Sequence, residues 1–125
     1  MMAMKPALKL ALAAIILAFI AAPVAAGLLE DANAAYSRRD YATALWLLRP
    51  LANQGDAGAQ TNLGFMYSKG QGVPKDYVRA HLWLTLSAAQ GDQAAARYRD
   101  YIAKRMTPAQ IAASQKLARE WRPAP

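Results

Sequence analysis

Few residues of this 125-residue chain combine a reactive side chain with a spacing that would let it work. General acid–base chemistry needs an imidazole or carboxyl group held by a second polar group. His81 is the single imidazole, has no Asp or Glu at i±3 or i±4, and has Asp76 as its nearest acid in sequence. A packing or solvated role is expected of it. Ser37, Ser68, Ser87 and Ser114 begin no Ser-x-x-Lys and stand in no Gly-x-Ser-x-Gly, so none is marked as an acylating nucleophile. Gly70-Gln71-Gly72 lacks the third glycine and the preceding strand of a phosphate loop. The absence of cysteine excludes disulfides, thiol nucleophiles, iron–sulfur ligation and cysteine zinc sites. No catalytic residue, metal or cofactor is expected.

Four acids, Asp40, Asp56, Asp76 and Asp92, recur along the chain, and their neighbours explain them better than catalysis does. Gln54-Gly55-Asp56 returns as Gln90-Gly91-Asp92, and Asp40-Tyr41-x-x-Ala44 returns as Asp76-Tyr77-x-x-Ala80, both at a shift of 36 residues. Leu48 with Leu84, Ala52 with Ala88 and Ala59 with Ala95 keep the same register. A period of this size without strand patterning indicates stacked helical hairpins. Six helices are expected, over Leu28–Arg38, Asp40–Asn53, Ala57–Lys69, Asp76–Gln90, Gln93–Met106 and Thr107–Trp121. Glycine at 55 and 91 suits the left-handed residue that ends a helix. Asp56 and Asp92 then cap the helices that follow. Thr107, Pro108 and Gln110 make the clearest start, a capping box with proline at the first helical position. Pro50 removes one hydrogen bond inside the second helix, where a bend is expected.

The middle of the chain carries a motif series in order: Leu63-Gly64-x-x-Tyr67, Gly70-x-Gly72-Val73, Asp76-x-x-x-Ala80-x-x-Trp83, and the closing Ala88-x-Gln90-Gly91-Asp92. This stretch resembles a Sel-one-like repeat, the longer-looped relative of the tetratricopeptide repeat. The unit before it, Ala32 to Asp56, is similar but five residues shorter between Tyr36 and Asp40 than the second is between Tyr67 and Asp76. That makes it closer to a plain tetratricopeptide hairpin. The unit after it, Gln93 to Trp121, resembles the terminal hairpin that follows such repeats in exported bacterial proteins. The resemblance implies an all-α fold, an α/α solenoid of about three hairpins near 28–54, 56–90 and 92–122. It also implies protein–protein interaction as the role.

The signature residues read as packing: Ala59, Leu63, Gly64 and Tyr67 on one helix face against Ala80, Trp83, Leu84 and Ser87, with Val73 plugging the loop. The helix from Asp76 to Gln90 also carries Val78, Leu82 and Leu86, and is apolar nearly all round. It is expected to be sandwiched, or else to leave a Leu82/Leu86 patch for docking. Solenoids of this kind bind along the first helices of their hairpins. There Asn62, Phe65, Met66 and Lys69 point away from the signature face and are the candidate groove residues. Arg97, Arg99, Lys104 and Arg105 form a candidate basic patch for an acidic peptide or an anionic polymer.

Lys5, Lys9, the uncharged run Leu10–Ala22, Pro23 and Val24-Ala25-Ala26 have the three-part form of a secretory signal. Residues 1–26 are expected to be a signal peptide, removed between Ala26 and Gly27, and 27–125 the repeat domain, placed in the periplasm. The alternative is an uncleaved anchor, since the uncharged sequence runs 20 residues to Leu29. From Gly27 to Ala96 six basic residues balance six acidic, while from Arg97 onward seven basic face two acidic. The formal charge of +7 thus belongs to the signal and the last hairpin. An unidentified protein or peptide is the expected partner. An anionic membrane surface or polymer, met by the basic hairpin, is the alternative, and export argues against nucleic acid.

Overall fold

The computed structural model describes residues 24–125. The expected signal helix, up to residue 23, lies outside the described residues. Six helices and no strand are found among the described residues: α1 over 24–37, α2 Tyr41–Asn53, α3 Ala57–Lys69, α4 Tyr77–Ala89, α5 Gln93–Ala103 and α6 Pro108–Glu120. The chain is an α/α solenoid of three helical hairpins.

The helix starts follow from the acids. Asp40, Asp56, Asp76 and Asp92 each stand one residue outside a helix and accept from a backbone N–H three residues on, at 2.9–3.2 Å. Thr107 and Gln110 close the capping box in both directions. Gly55 and Gly91 end α2 and α4 at φ of 105° and 101°, the left-handed geometry their position requires. Helix α2 continues through Pro50, which faces solvent.

Two boundaries depart from expectation. Helix α1 is already helical at residue 24, the first described, ahead of the expected Leu28, and Ala25 and Leu29 pack against the first core cluster. The Ala26–Gly27 junction is therefore helical. Helix α5 stops at Ala103, not Met106, because a turn at 104–105 sends Met106 back into the core ahead of the Thr107 cap.

Packing divides into two clusters. Leu45, Leu48, Leu51, Leu63 and Met66 centre the first, with Ala32 and Ala35 from α1. Tyr67, Leu84, Ile102 and Met106 centre the second. Val73 and Trp83 touch both, so the loop before α4 ties the two clusters together. Gly64 lets α3 and α4 meet closely, since a Cβ there would fall 2.6 Å from Leu84 Cγ. Helix α4 packs on α3, α5 and α6, which accounts for its nearly unbroken apolar surface. Leu82 and Leu86 are half-buried. No helix among the described residues is long and apolar enough to cross a membrane.

Candidate functional site

The first helices of the three hairpins, α1, α3 and α5, present polar side chains together with aromatic ones, Tyr36, Phe65 and Tyr98, that are only partly buried against the core. On α1, Ala32 and Ala35 face inward, which turns Asn33 and Ser37 outward and leaves the half-buried Tyr36 at the margin of the core. On α3 the burial of Leu63 and Tyr67 leaves Asn62, Phe65 and Lys69 on the corresponding side. Asn62 Nδ2 donates to Asn33 Oδ1 at 2.6 Å and bridges the two helices. A cleft of about 270 Å³ opens between them, lined by Asn33, Tyr36, Ser37, Asn62 and Phe65. Tyr36 does not fill it, because its hydroxyl donates to Gln71 Oε1 at 2.8 Å.

An aromatic strip runs from this cleft onto α5. Phe65 meets Tyr98 edge to face at a centroid distance of 4.8 Å, and Tyr98 stacks on Tyr101 at 5.7 Å. The Tyr98 hydroxyl lies 3.0 Å from Ser68 Oγ, which fixes the ring. Cations stand at both ends, Lys69 Nζ 5.8 Å from the Phe65 centroid and the Arg105 guanidinium 4.3 Å from that of Tyr101. Such a surface offers amide hydrogen bonding at one end and rigid aromatic area with positive charge at the other. Those are the contacts a peptide backbone and its side chains use.

Of the groove residues expected from sequence, Asn62, Phe65 and Lys69 share this face. Met66 does not: it is fully buried in the first core cluster, because the helical turn that exposes Phe65 rotates its neighbour toward α2. Of the basic residues, Arg97, Lys104 and Arg105 are exposed. Arg99 departs from the patch, half-buried toward His81 and paired with Asp100 at 3.1 Å. Asn33, Tyr36 and Ser37 are not among the site residues expected from sequence, and Tyr98 and Tyr101 read there as core rather than as ligand contacts. The i, i+3, i+4 stripe beside the buried alanines of α1 is the signal that marks the first three.

The other polar groups of the interior are occupied. His81 is buried, with Nδ1 2.7 Å from the buried Ser114 Oγ, and burial lowers its pKa. Arg99 lowers it further while Asp100 opposes. Thr61 Oγ1 lies 2.6 Å from Ser87 Oγ and 2.8 Å from Asp92 Oδ2, and Ser87 Oγ lies 2.9 Å from the Ala57 carbonyl. Gln60 donates to the Ala52 carbonyl and Gln90 to the Gly55 carbonyl and to Gln60 Oε1. Gln90 and Asp92, which close the α3/α4 hairpin, thus bond Gly55, Gln60 and Thr61, where the same hairpin opens. The backbone N–H of Ala95 holds the Asp92 carboxyl below its ordinary pKa.

Comparison with known families agrees with this construction. The Sel1 repeat model matches residues 31–56 and 57–92, that is, α1 with α2 and α3 with α4. The first unit, with its short loop, is therefore a Sel1 repeat as well and not a plain tetratricopeptide hairpin. No curated protein matches the chain. Sel1 repeats are in general protein–protein interaction modules. With two such repeats stacked in succession, the chain is a Sel1-like repeat protein.

Proposed function

We propose that the protein is an exported, non-catalytic scaffold that binds a protein or peptide along the concave face formed by α1, α3 and α5. The observation that carries this reading is the open cleft between Asn33 and Phe65, continuous with the Phe65–Tyr98–Tyr101 strip and flanked by cations. A rigid helical face binds with little reordering, so side-chain contacts contribute most of the affinity. Export to the periplasm rests on the basic start, apolar run and small-residue junction of residues 1–26. The test is the affinity of the Asn62→Ala/Phe65→Ala double variant for a partner isolated with the wild-type chain. A loss of at least about tenfold is expected, in line with truncation of an aromatic anchor. Unchanged affinity in a folded variant would remove the assignment.

A second reading is favoured by the exposed Arg97, Lys104 and Arg105, which make no ion pair among the described residues. These side chains would hold the terminal hairpin against an anionic surface. Binding to anionic vesicles that weakens steeply between low and high salt supports it, and salt-insensitive binding removes it.

A further inference from the structure

The opposite side of the molecule, built from the second helices of the hairpins, carries a separate cleft. Trp46 on α2 is 77% exposed, the most exposed of the large apolar side chains among the described residues. The tail after α6 crosses this side in an extended conformation. Trp121 reaches Gly55, and the Ala124 N–H donates to the Asn53 carbonyl at 2.7 Å. The tail thereby becomes a wall. Between it and Trp46 lies a cleft of about 460 Å³ lined by Trp46, Arg49, Pro50, Asn53, Gln54 and Ala124. That volume lies within the range of about 300–1,000 Å³ usual for ligand pockets.

The lining has one sign of charge. Arg49 is the only charged residue in it, and Arg49 makes no ion pair among the described residues. Pro123 and Pro125 have no N–H to offer, so the tail cannot act as the edge of a sheet. Recognition here must come through side chains: an apolar group on the indole of Trp46 and a carboxylate on the guanidinium of Arg49, one helical turn apart on α2.

We infer that this cleft binds a short acidic peptide segment, in which an aromatic or proline side chain stacks on Trp46 and a neighbouring Asp or Glu pairs with Arg49. The site is independent of the α1/α3/α5 face, and two partners could be held on opposite sides of one scaffold.

The test uses the full chain and two synthetic hexapeptides, one with an Asp-Phe-Glu core and one with a Lys-Phe-Lys core, titrated by tryptophan fluorescence and by amide NMR shifts of α2. The acidic peptide is expected to bind saturably, with shifts centred on Trp46 to Gln54. Trp46→Ala should weaken it by at least about tenfold. Arg49→Glu should weaken it similarly and make the basic peptide the better ligand. Both residues are exposed, so both variants are expected to fold, which far-UV circular dichroism checks. Equal response to the two peptides, unchanged affinity in Arg49→Glu, or no saturable shift would each overturn the assignment. So would concentration-dependent self-association abolished by Trp46→Ala, which would give the cleft to a second copy of the chain.

Discussion

The buried His81 and the glycine at 64 show how single residues hold the terminal and central hairpins. His81 joins α4 to α6 through Ser114. Its folded pKa lies below the ordinary value, chiefly through burial, so the unfolded chain binds the proton more tightly. The stabilisation from keeping His81 neutral is therefore fully present above pH about 6.5 and declines as pH falls below that value. Urea midpoints measured between pH 7.5 and 5 should fall, and His81→Gln should flatten that part of the curve. Gly64→Ala sets a methyl against the fully buried Leu84, and overpacking of this kind costs about 1–3 kcal/mol, readable as a lowered thermal midpoint. Gly64 was legible as structural from its place on the Leu63/Tyr67 face, while the missing carboxylate left His81 either a packing or a solvated role. The Ser114 partner was not, because it comes from a helix 33 residues away.

Helices and their joints belong to the next scale. The acids before α2, α3, α4 and α5 could be read as caps because a side-chain carboxylate reaches only the free N–H groups of the first turn, a local constraint. Replacing Asp56 by Ala should cost about 0.5–2 kcal/mol of unfolding free energy, as loss of a cap does. Helix ahead of Leu28, and the end of α5 at Ala103, depend on core contacts made by Ala25 and Met106, which periodicity does not encode. The long loop between α3 and α4 acts as a clasp. Gln71 accepts from Tyr36, and Gly72 sits at φ 72° with room for no Cβ, since one would lie 2.8 Å from Tyr41 Cβ. Gly72→Ala meets both the left-handed backbone and that contact, and should destabilise by about 1–3 kcal/mol. Because the clasp bonds Tyr36 at the edge of the proposed binding cleft, the same variant should also weaken partner binding when assayed well below its melting point.

Across the whole molecule, three hairpins place their first helices on one side and their second helices on the other. The internal repeat made this arrangement legible, since a shift of 36 residues returns the same caps and the same core leucines. The face itself was legible in part. Asn62, Phe65 and Lys69 follow from helical geometry, whereas the burial of Met66 depends on α1 and α2 closing over it. The N-terminus bears on the whole assembly, because α1 is helical across Ala26–Gly27 and Ala25 packs on the core. N-terminal sequencing of the native protein should find Gly27 first if export removes residues 1–26; an intact N-terminus would favour the anchored form.

The central claim, that α1, α3 and α5 form the partner-binding face, is tested most directly by site-specific photocrosslinking in cells that make the chain natively. A crosslinking residue in place of Asn62 should yield a discrete higher-mass adduct. The same residue in place of the exposed Lys116 on α6 should give little or none. Equal adducts from both positions, or an adduct from Lys116 alone, would contradict the account.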